Sequence, residues 1–512
     1  MKRIQWFARH QWLSLTGILA VFSAIAFGNM NRWSIWFDEG FSAYIIRFDY
    51  AQIAHYTGVD VHPPLYYWLL KTWTLLFGVS PVGMRSMSWF FAVVALVGLY
   101  LLIRRVFRSS SVALVAVGFG SLTPLLIRYA DEARMYTLSF AIITWATYAL
   151  IRAMQAKNRR WWALYAVLLM AGMLTHYLIA LAWIVHWIWR WIVLRGRGWR
   201  VFFSREWIGT HVVAVVLYAW WMPLLIKQFT SVQQGFWIPA VTARTPIDYL
   251  SNALLYRYAG ETTGWWAFVV VVLAASTIVL AIQAVRVQKK AVRSEALLLG
   301  ALAFLPPLLL MLVSMPPLRS TFVDRYVLFS AVILMALAGV GAWQMMAKRP
   351  RLALALGAVI ILSAATGIAQ VYHDGNANKN SAELSLLQAG DVVKLVGEQG
   401  TAGQPIIAAN AWLYYEAATY SSDAHPVMYL NESLTENYGS LAMLKDDAHG
   451  KIMSLSDYTS THRYVWYLKS DDASVEIEPP VVTWKKIKQV GAYDYLRDAT
   501  RFRAVLYDTQ VN

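Results

Sequence analysis

Four short segments of this chain carry side chains able to do chemistry, and each lies beside a long apolar run. Trp36-Phe37-Asp38-Glu39-Gly40 sets two carboxylates among aromatics. A carboxylate in such surroundings can act as a general base. Asp38 can equally cap a helix that starts near Gly40. In Asp60-Val61-His62-Pro63-Pro64-Leu65-Tyr66-Tyr67-Trp68, a histidine precedes a rigid double-proline helix start. His62 can contact a phosphate or orient a base there, or the segment can be plain punctuation. Arg128-Tyr129-Ala130-Asp131-Glu132-Ala133-Arg134-Met135-Tyr136 combines two acids with two arginines. Arginine suits two-point phosphate binding, and the alternative here is headgroup anchoring plus an internal salt bridge. The fourth segment, Arg319 to Tyr326, brings Arg325 and Tyr326 to the edge of another apolar run, as phosphate contacts or as an aromatic and basic belt. A fifth, shorter signal is His176 in Thr175-His176-Tyr177, where a lone histidine is commonly a structural hydrogen-bonder.

Asp131, Glu132 and His176 are weak candidates to hold a divalent metal, and their types name no particular ion. No other cofactor is indicated. The chain has no cysteine, which excludes disulfides and thiolate metal sites. It has no P-loop, dinucleotide glycine fingerprint, nucleophile elbow or metalloprotease helix.

The elements that must position these residues are membrane spans. The chain of 512 residues is 58% hydrophobic and 14% charged, too little charge for a soluble surface. Its apolar runs are about 17–25 residues long, the length a helix needs to cross hydrocarbon. Eleven spans are expected, near 12–29, 82–103, 111–127, 135–152, 162–175, 178–194, 207–226, 265–285, 296–314, 326–346 and 352–370. The first lacks a clean cleavage site and reads as a retained helix. The pair 162–175 and 178–194 can also be one long broken helix. Residues 1–370 carry 33 Lys/Arg against 11 Asp/Glu, and 22 of those basic residues fall in alternate short loops. That alternation predicts a cytoplasmic N-terminus and an extracytoplasmic C-terminus. It also argues against nucleic acid as the partner of the net charge of +16.

Two outer loops are long, 30–81 and 227–264. Within the first, Phe41–Tyr56 and Leu65–Phe77 are expected as surface helices. The expected division is a membrane domain over 1–370 and an extracytoplasmic α/β domain over 371–512. The latter holds a helix-like stretch, Ala382–Glu398, and strand-like runs at Pro405–Ala409, Val427–Leu430, Tyr464–Leu468 and Arg503–Tyr507. Only Glu206 and Glu295 are acids of the cytoplasmic loops; Asp38, Glu39, Asp49, Asp60, Asp131, Glu132, Asp248, Glu261 and Asp324 fall outside. Asp49, Asp248 and Glu261 read as ordinary loop residues. Asp38, Glu39, Asp131 and Glu132 sit against apolar spans, where ionised groups are costly.

The order "WFDEGFSAYIIR", "DVHPPLYYWLLKTWTLLFG", "RYADEARMY", "THY" resembles the GT-C glycosyltransferases. The branch it is most similar to includes protein O-mannosyltransferases, the aminoarabinose transferase of lipid A and Rgt-type lipopolysaccharide-core transferases. Specific motifs cover about residues 10–190, with "DRYVLFS" echoing a late family element. The resemblance implies a GT-C-like polytopic α-helical fold and a transferase of hexosyl or pentosyl groups. It would move sugar from a polyprenyl-phosphate donor to a glycan, lipid or protein acceptor outside the cytoplasm, usually with inversion. It implies Asp38 as catalytic base, with Glu39 completing the acidic pair. Glu132, Arg134 and Tyr136 match "EARMY". His62 stands where some relatives have lysine, and Asp131 where relatives often have an amide. Arg134 and Arg325 would meet the donor's phosphate. A lipid or sugar transporter is the alternative. It predicts carboxylates near the middle of spans and an inverted repeat, and neither is visible.

Overall fold

The computed structural model describes residues 10–155, 158–231, 238–257, 264–286, 288, 290–374, 388–434, 439–470, 481, 483–491 and 502–510. Lys2, Arg3, Arg9, Lys157, Glu261, Lys289, most of the 373–380 linker and residues 382–387 of the expected helix lie outside them. Two compact units emerge, one of residues 1–28 and 86–372, the other of residues 29–85 and 373–512. The first outer loop thus clusters with the C-terminal part of the chain.

The chain is a multi-pass membrane protein. Eight described helices are long and apolar enough to cross: Gln11–Met30, Pro81–Phe107, Tyr136–Gln155, Tyr177–Leu194, Gly264–Arg286, Val292–Val313, Asp324–Met345 and Pro350–His373. Two further stretches are bent pairs, Ser110–Ser121 with Pro124–Ala130 (69°) and Arg205–Tyr218 with Met222–Phe229 (77°). Each bend falls next to a proline, Pro124 or Pro223, which cannot donate the backbone bond that would continue the helix. The described residues therefore give eight to ten crossings rather than the eleven expected. The eleventh, 162–175, is the Arg159–Met173 helix of 15 residues, short of the ~20 a full crossing needs. It is separate from Tyr177–Leu194; His176 turns the chain between them.

In the first unit, Asp324–Met345 is the central helix, with 89% of its apolar window buried. Close approach there depends on glycine. A Cβ on Gly341 would lie 2.0 Å from the Leu280 carbonyl oxygen.

The second unit begins with three helices from the first outer loop, Phe37–Ile45, Tyr50–Val59 and Leu65–Phe77. The single helix expected over Phe41–Tyr56 is two. Asp49 breaks it by accepting from Gln52 N while Gln52 bonds back, a capping box that starts a new helix. Asp49 is thus a helix cap. Leu65–Phe77 lies where expected.

The C-terminal residues build a six-stranded sheet in the order β3-β2-β1-β4-β6-β5. The strands are β1 (Ile406–Ala408), β2 (Val427–Leu430), β3 (Lys451–Ile452), β4 (Tyr464–Lys469), β5 (Lys485–Val490) and β6 (Arg503–Asp508). β1, β2, β3 and β4 pair in parallel, and β6 pairs antiparallel with β4 and β5. The helix expected over 382–398 is described as Ala389–Gln399. The Ala411–Ala418 helix meets Phe37–Ile45 at Gly40, where a Cβ would lie 2.3 Å from the Tyr415 carbonyl oxygen.

Candidate functional site

In the second unit, the Phe37–Ile45 helix fixes both acids of the first motif. Trp36 is its N-cap and supplies no side-chain bond, so Asp38 lies inside the first turn instead of capping a helix at Gly40. Negative charge is favoured there by the helix dipole. Glu39, on the next position, is fully buried. The Arg85 guanidinium donates to it through Nε (2.8 Å to Oε1) and Nη2 (2.7 Å to Oε2). Arg85 also donates to the carbonyls of Met30 (2.8 Å), Trp33 (2.8 Å) and Ser34 (3.1 Å). One arginine therefore ties the 30–34 turn to the acid next to Asp38. Asp38 itself is only half-buried.

Aromatic rings pack around this helix. Phe37 meets Trp412 edge-on at 4.8 Å, and Tyr44 meets Tyr415 at 5.4 Å. Tyr44 donates to Asp447 (2.8 Å). Burial first, then the neighbouring Tyr414, pushes the Tyr44 phenol well above its ordinary value, so it stays a neutral donor. His62 lies in the same unit, with Nδ1 2.9 Å from Asp60 Oδ2. An ionised carboxylate only accepts, so Nδ1 carries the proton and the ring is oriented by Asp60.

In the first unit, Arg128, Asp131, Glu132, Arg134, Tyr136 and Arg325 are all buried. Arg128 Nη2 donates to Glu132 Oε2 at 2.6 Å. Ser88 holds the loop by donating to the carbonyls of Glu132 (2.6 Å) and Arg134 (3.3 Å). Tyr136, His176, Arg325 and Tyr326 come together around a small cavity whose walls also include Ser139 and Phe329. The Arg325 guanidinium lies 5.7 Å from the Tyr136 ring and 5.8 Å from the Tyr326 ring. His176 meets Tyr326 at 4.7 Å. His176 Nδ1 accepts from Leu178 N (3.3 Å), so its proton lies on Nε2. Asp324 holds the start of the Arg325 turn by accepting from Arg325 N (2.8 Å), and Asn252 donates to its other oxygen. Asp248 pairs with Arg244 (3.1 Å) near the surface.

Four residues singled out in the sequence thus converge within the first unit: Tyr136, His176, Arg325 and Tyr326. A cation held against aromatic faces, with a ring N–H nearby, is suited to an oxyanion such as phosphate. Glu39 and Glu132 share a different circumstance, each ion-paired to a buried arginine. Among the described residues, no group of three or more His, Asp or Glu side chains is placed to hold a metal ion, so Asp131, Glu132 and His176 form no such group. Sequence reasoning missed Arg85 and Asn252. Arg85 left a signal, a charge four residues into an apolar run, where a partner is expected. Asn252 left none.

Residues 61–226 match the family of dolichyl-phosphate-mannose-protein mannosyltransferases. That stretch includes His62, Glu132, Arg134, Tyr136 and His176, and excludes Asp38 and Arg325. No curated protein sequence matches the chain. Two solved structures are similar to it over nearly their whole length. Apo ArnT from Cupriavidus metallidurans gives a TM-score of 0.61 at 13% identity, covering 98% of this chain and 98% of that one. ArnT from the same organism bound to undecaprenyl phosphate gives 0.59 at 14% identity, covering 97% and 98%. The chain shares the fold of these two ArnT structures.

Proposed function

We propose that this chain is a glycosyltransferase that moves a sugar from a polyprenyl-phosphate donor to an acceptor on the outer face of the plasma (inner) membrane. In this reading its N-terminus is cytoplasmic and its sheet domain extracytoplasmic. The observation that carries the reading is the unequal treatment of two adjacent acids. Glu39 is locked by Arg85, while Asp38 is left partly exposed at the head of the same helix. Support also comes from the fold shared with the ArnT structures, and from the fact that one structure similar to this chain holds undecaprenyl phosphate.

Asp38 takes the proton of an acceptor hydroxyl. The acceptor oxygen forms a bond to the anomeric carbon, and the bond from that carbon to the donor's phosphate oxygen breaks with inversion. The electron pair leaves on the phosphate. Arg325, between Tyr136 and Tyr326, stabilises that charge, with Arg134 and the Nε2–H of His176 as further donors. Preorganised stabilisation of this kind contributes about 3–4 kcal/mol per donor. Glu39 and Glu132 position their arginines. Neutralising either acid would leave a buried guanidinium uncompensated, at ~3–5 kcal/mol. Asp60 orients the His62 ring.

The test is a panel of hexose and pentose polyprenyl-phosphates with the purified full-length protein, assayed for sugar released or transferred. Turnover of at least one donor, with an Arg325→Gln variant showing a lowered kcat and kcat/KM, is expected. If no lipid-borne donor turns over while the protein is folded and transports a lipid or sugar across vesicles, the reading fails.

A further inference from the structure

A second feature of the first unit has no part in the proposed reaction. A groove of about 640 Å³ runs between the Gln11–Met30 and Ser110–Ser121 helices. Its walls are almost wholly apolar and include Leu13, Gly17, Val21, Leu114, Gly118 and Trp343. On each helix the lining residues recur three and four apart, so each wall is one helical face. The wall from Ser111 to Leu122 is about 16 Å long at 1.5 Å per residue. That is the depth of one leaflet, half of a hydrocarbon core of about 30 Å. The groove is open where glycines line it. A Cβ on Gly17 or Gly118 would meet nothing within 4 Å.

One end of the groove is basic. Ser110 Oγ donates to Gln11 Oε1 (2.6 Å), which joins the starts of the two wall helices. A Cβ on Gly357 would lie 3.7 Å from the Phe119 ring, and one on Gly367 2.5 Å from Pro124. The Pro350–Asp374 helix therefore runs beside the Ser110–Ala130 pair in the same direction. This brings the turn before Pro350, with exposed Lys348 and Arg349, and the exposed Arg351 after it, to the same end as Gln11 and Ser110. Arg108, also exposed, precedes Ser110 there with φ +54°, a conformation non-glycine residues seldom adopt. An acid at this end is Glu295, linked through Gln155 to Arg105 and close enough to Arg108 to feel its charge, so Arg108 is shared between it and the groove mouth. An apolar groove one leaflet deep, ending in several cations, matches a molecule with a hydrocarbon chain and an anionic head.

We propose that this groove holds one acyl chain of an anionic phospholipid, with its phosphate bound by Arg108, Lys348, Arg349 and Arg351. The site is distinct in chemistry and place from the Arg325 cluster. The test uses full-length protein in nanodiscs of equal phosphatidylglycerol and phosphatidylcholine, then mild detergent extraction and mass spectrometry of retained lipid. The wild type retains phosphatidylglycerol in preference to phosphatidylcholine. In K348Q/R349Q/R351Q, that preference falls by about fivefold per charge removed, since each basic residue near a membrane surface is worth about 1 kcal/mol. G17L/G118L fills the groove and loses the retained lipid, while G17A/G118A, whose methyls meet open space, keeps it. Equal retention of the two lipids by the wild type would overturn the proposal. So would full retention by G17L/G118L, or the finding that a polyprenyl chain or a second copy of the protein occupies the groove. Should G17L/G118L fail to fold, K348Q/R349Q/R351Q, altered only at exposed positions, decides the matter alone.

Discussion

Arg85→Ala removes a side chain that makes five hydrogen bonds to groups inside the second unit. Arginine has five N–H donors, and here five bonds leave its three nitrogens. Two end on a fully buried carboxylate, so the variant leaves Glu39 charged and unpaired, at ~3–5 kcal/mol. Three end on backbone carbonyls, each costing ~1–3 kcal/mol when left without a donor. Water can reach the Trp33 side of the site, where the bond is only partly buried, and offsets part of that. With the Trp33 carbonyl taken up by water, the loss should therefore be about 5–11 kcal/mol. Arg85→Met with Glu39→Leu removes both charges together and should recover the ion-pair part, leaving mainly the carbonyl cost. Intrinsic tryptophan fluorescence on heating, in detergent, reports the transition. Turnover falls in both variants because the 30–39 segment that carries Asp38 is no longer held. A Tm for Arg85→Ala within a degree of wild type would refute the reasoning. Equal destabilisation by the single and double variants would refute the ion-pair share of it.

Three more outcomes follow from local geometry. Gly40→Ala puts a methyl 2.3 Å from the Tyr415 carbonyl oxygen and should cost ~1–3 kcal/mol by overpacking, read as a lower Tm. Asn252→Ala removes the bond that steadies Asp324 behind Arg325; at ~1.5–3 kcal/mol for a bond to a charged group, kcat/KM for the donor should fall about tenfold or more. Arg463 holds Asp508 with bonds of 2.9 to 3.2 Å, chiefly by hydrogen bonding, and keeps its carboxyl below the usual range. A depressed carboxyl contributes stability above its unfolded pKa, and that stability is lost as pH falls through the folded value. Asp508→Asn should thus lower Tm at neutral pH and flatten its decline in acid below about pH 4.

Much of this was legible in the sequence because hydrophobic length and charge alternation are strong signals. Val427–Leu430 is a strand over its expected residues, and Tyr464–Lys469 and Arg503–Asp508 are strands one residue longer than expected. Lys451–Ile452 and Lys485–Val490 were not legible. They are the edge strands, and the second reads as Lys-Lys-Ile-Lys, with no apolar face to announce it. The bends at Pro124 and Pro223 have their cause in plain view, but a hydropathy window averages across a proline. Of the site, Asp38, Glu132, Arg134, Tyr136, His176 and Arg325 stood in motifs. Their partners did not. Arg85 lies 46 positions from Glu39, and Asn252 lies 72 from Asp324, and sequence spacing carries no information about such contacts.

Single-turnover transfer from a polyprenyl-phosphate sugar by Asp38→Asn bears on the proposed mechanism more than any other experiment. The side chain is half-buried, in a first helical turn, and its loss should cost under about 1 kcal/mol of stability. Loss of a general base should slow the chemical step by about 10²–10⁴-fold, with donor binding and Tm retained. Turnover near the wild-type rate in a folded Asp38→Asn protein would contradict the assignment of Asp38 as the base.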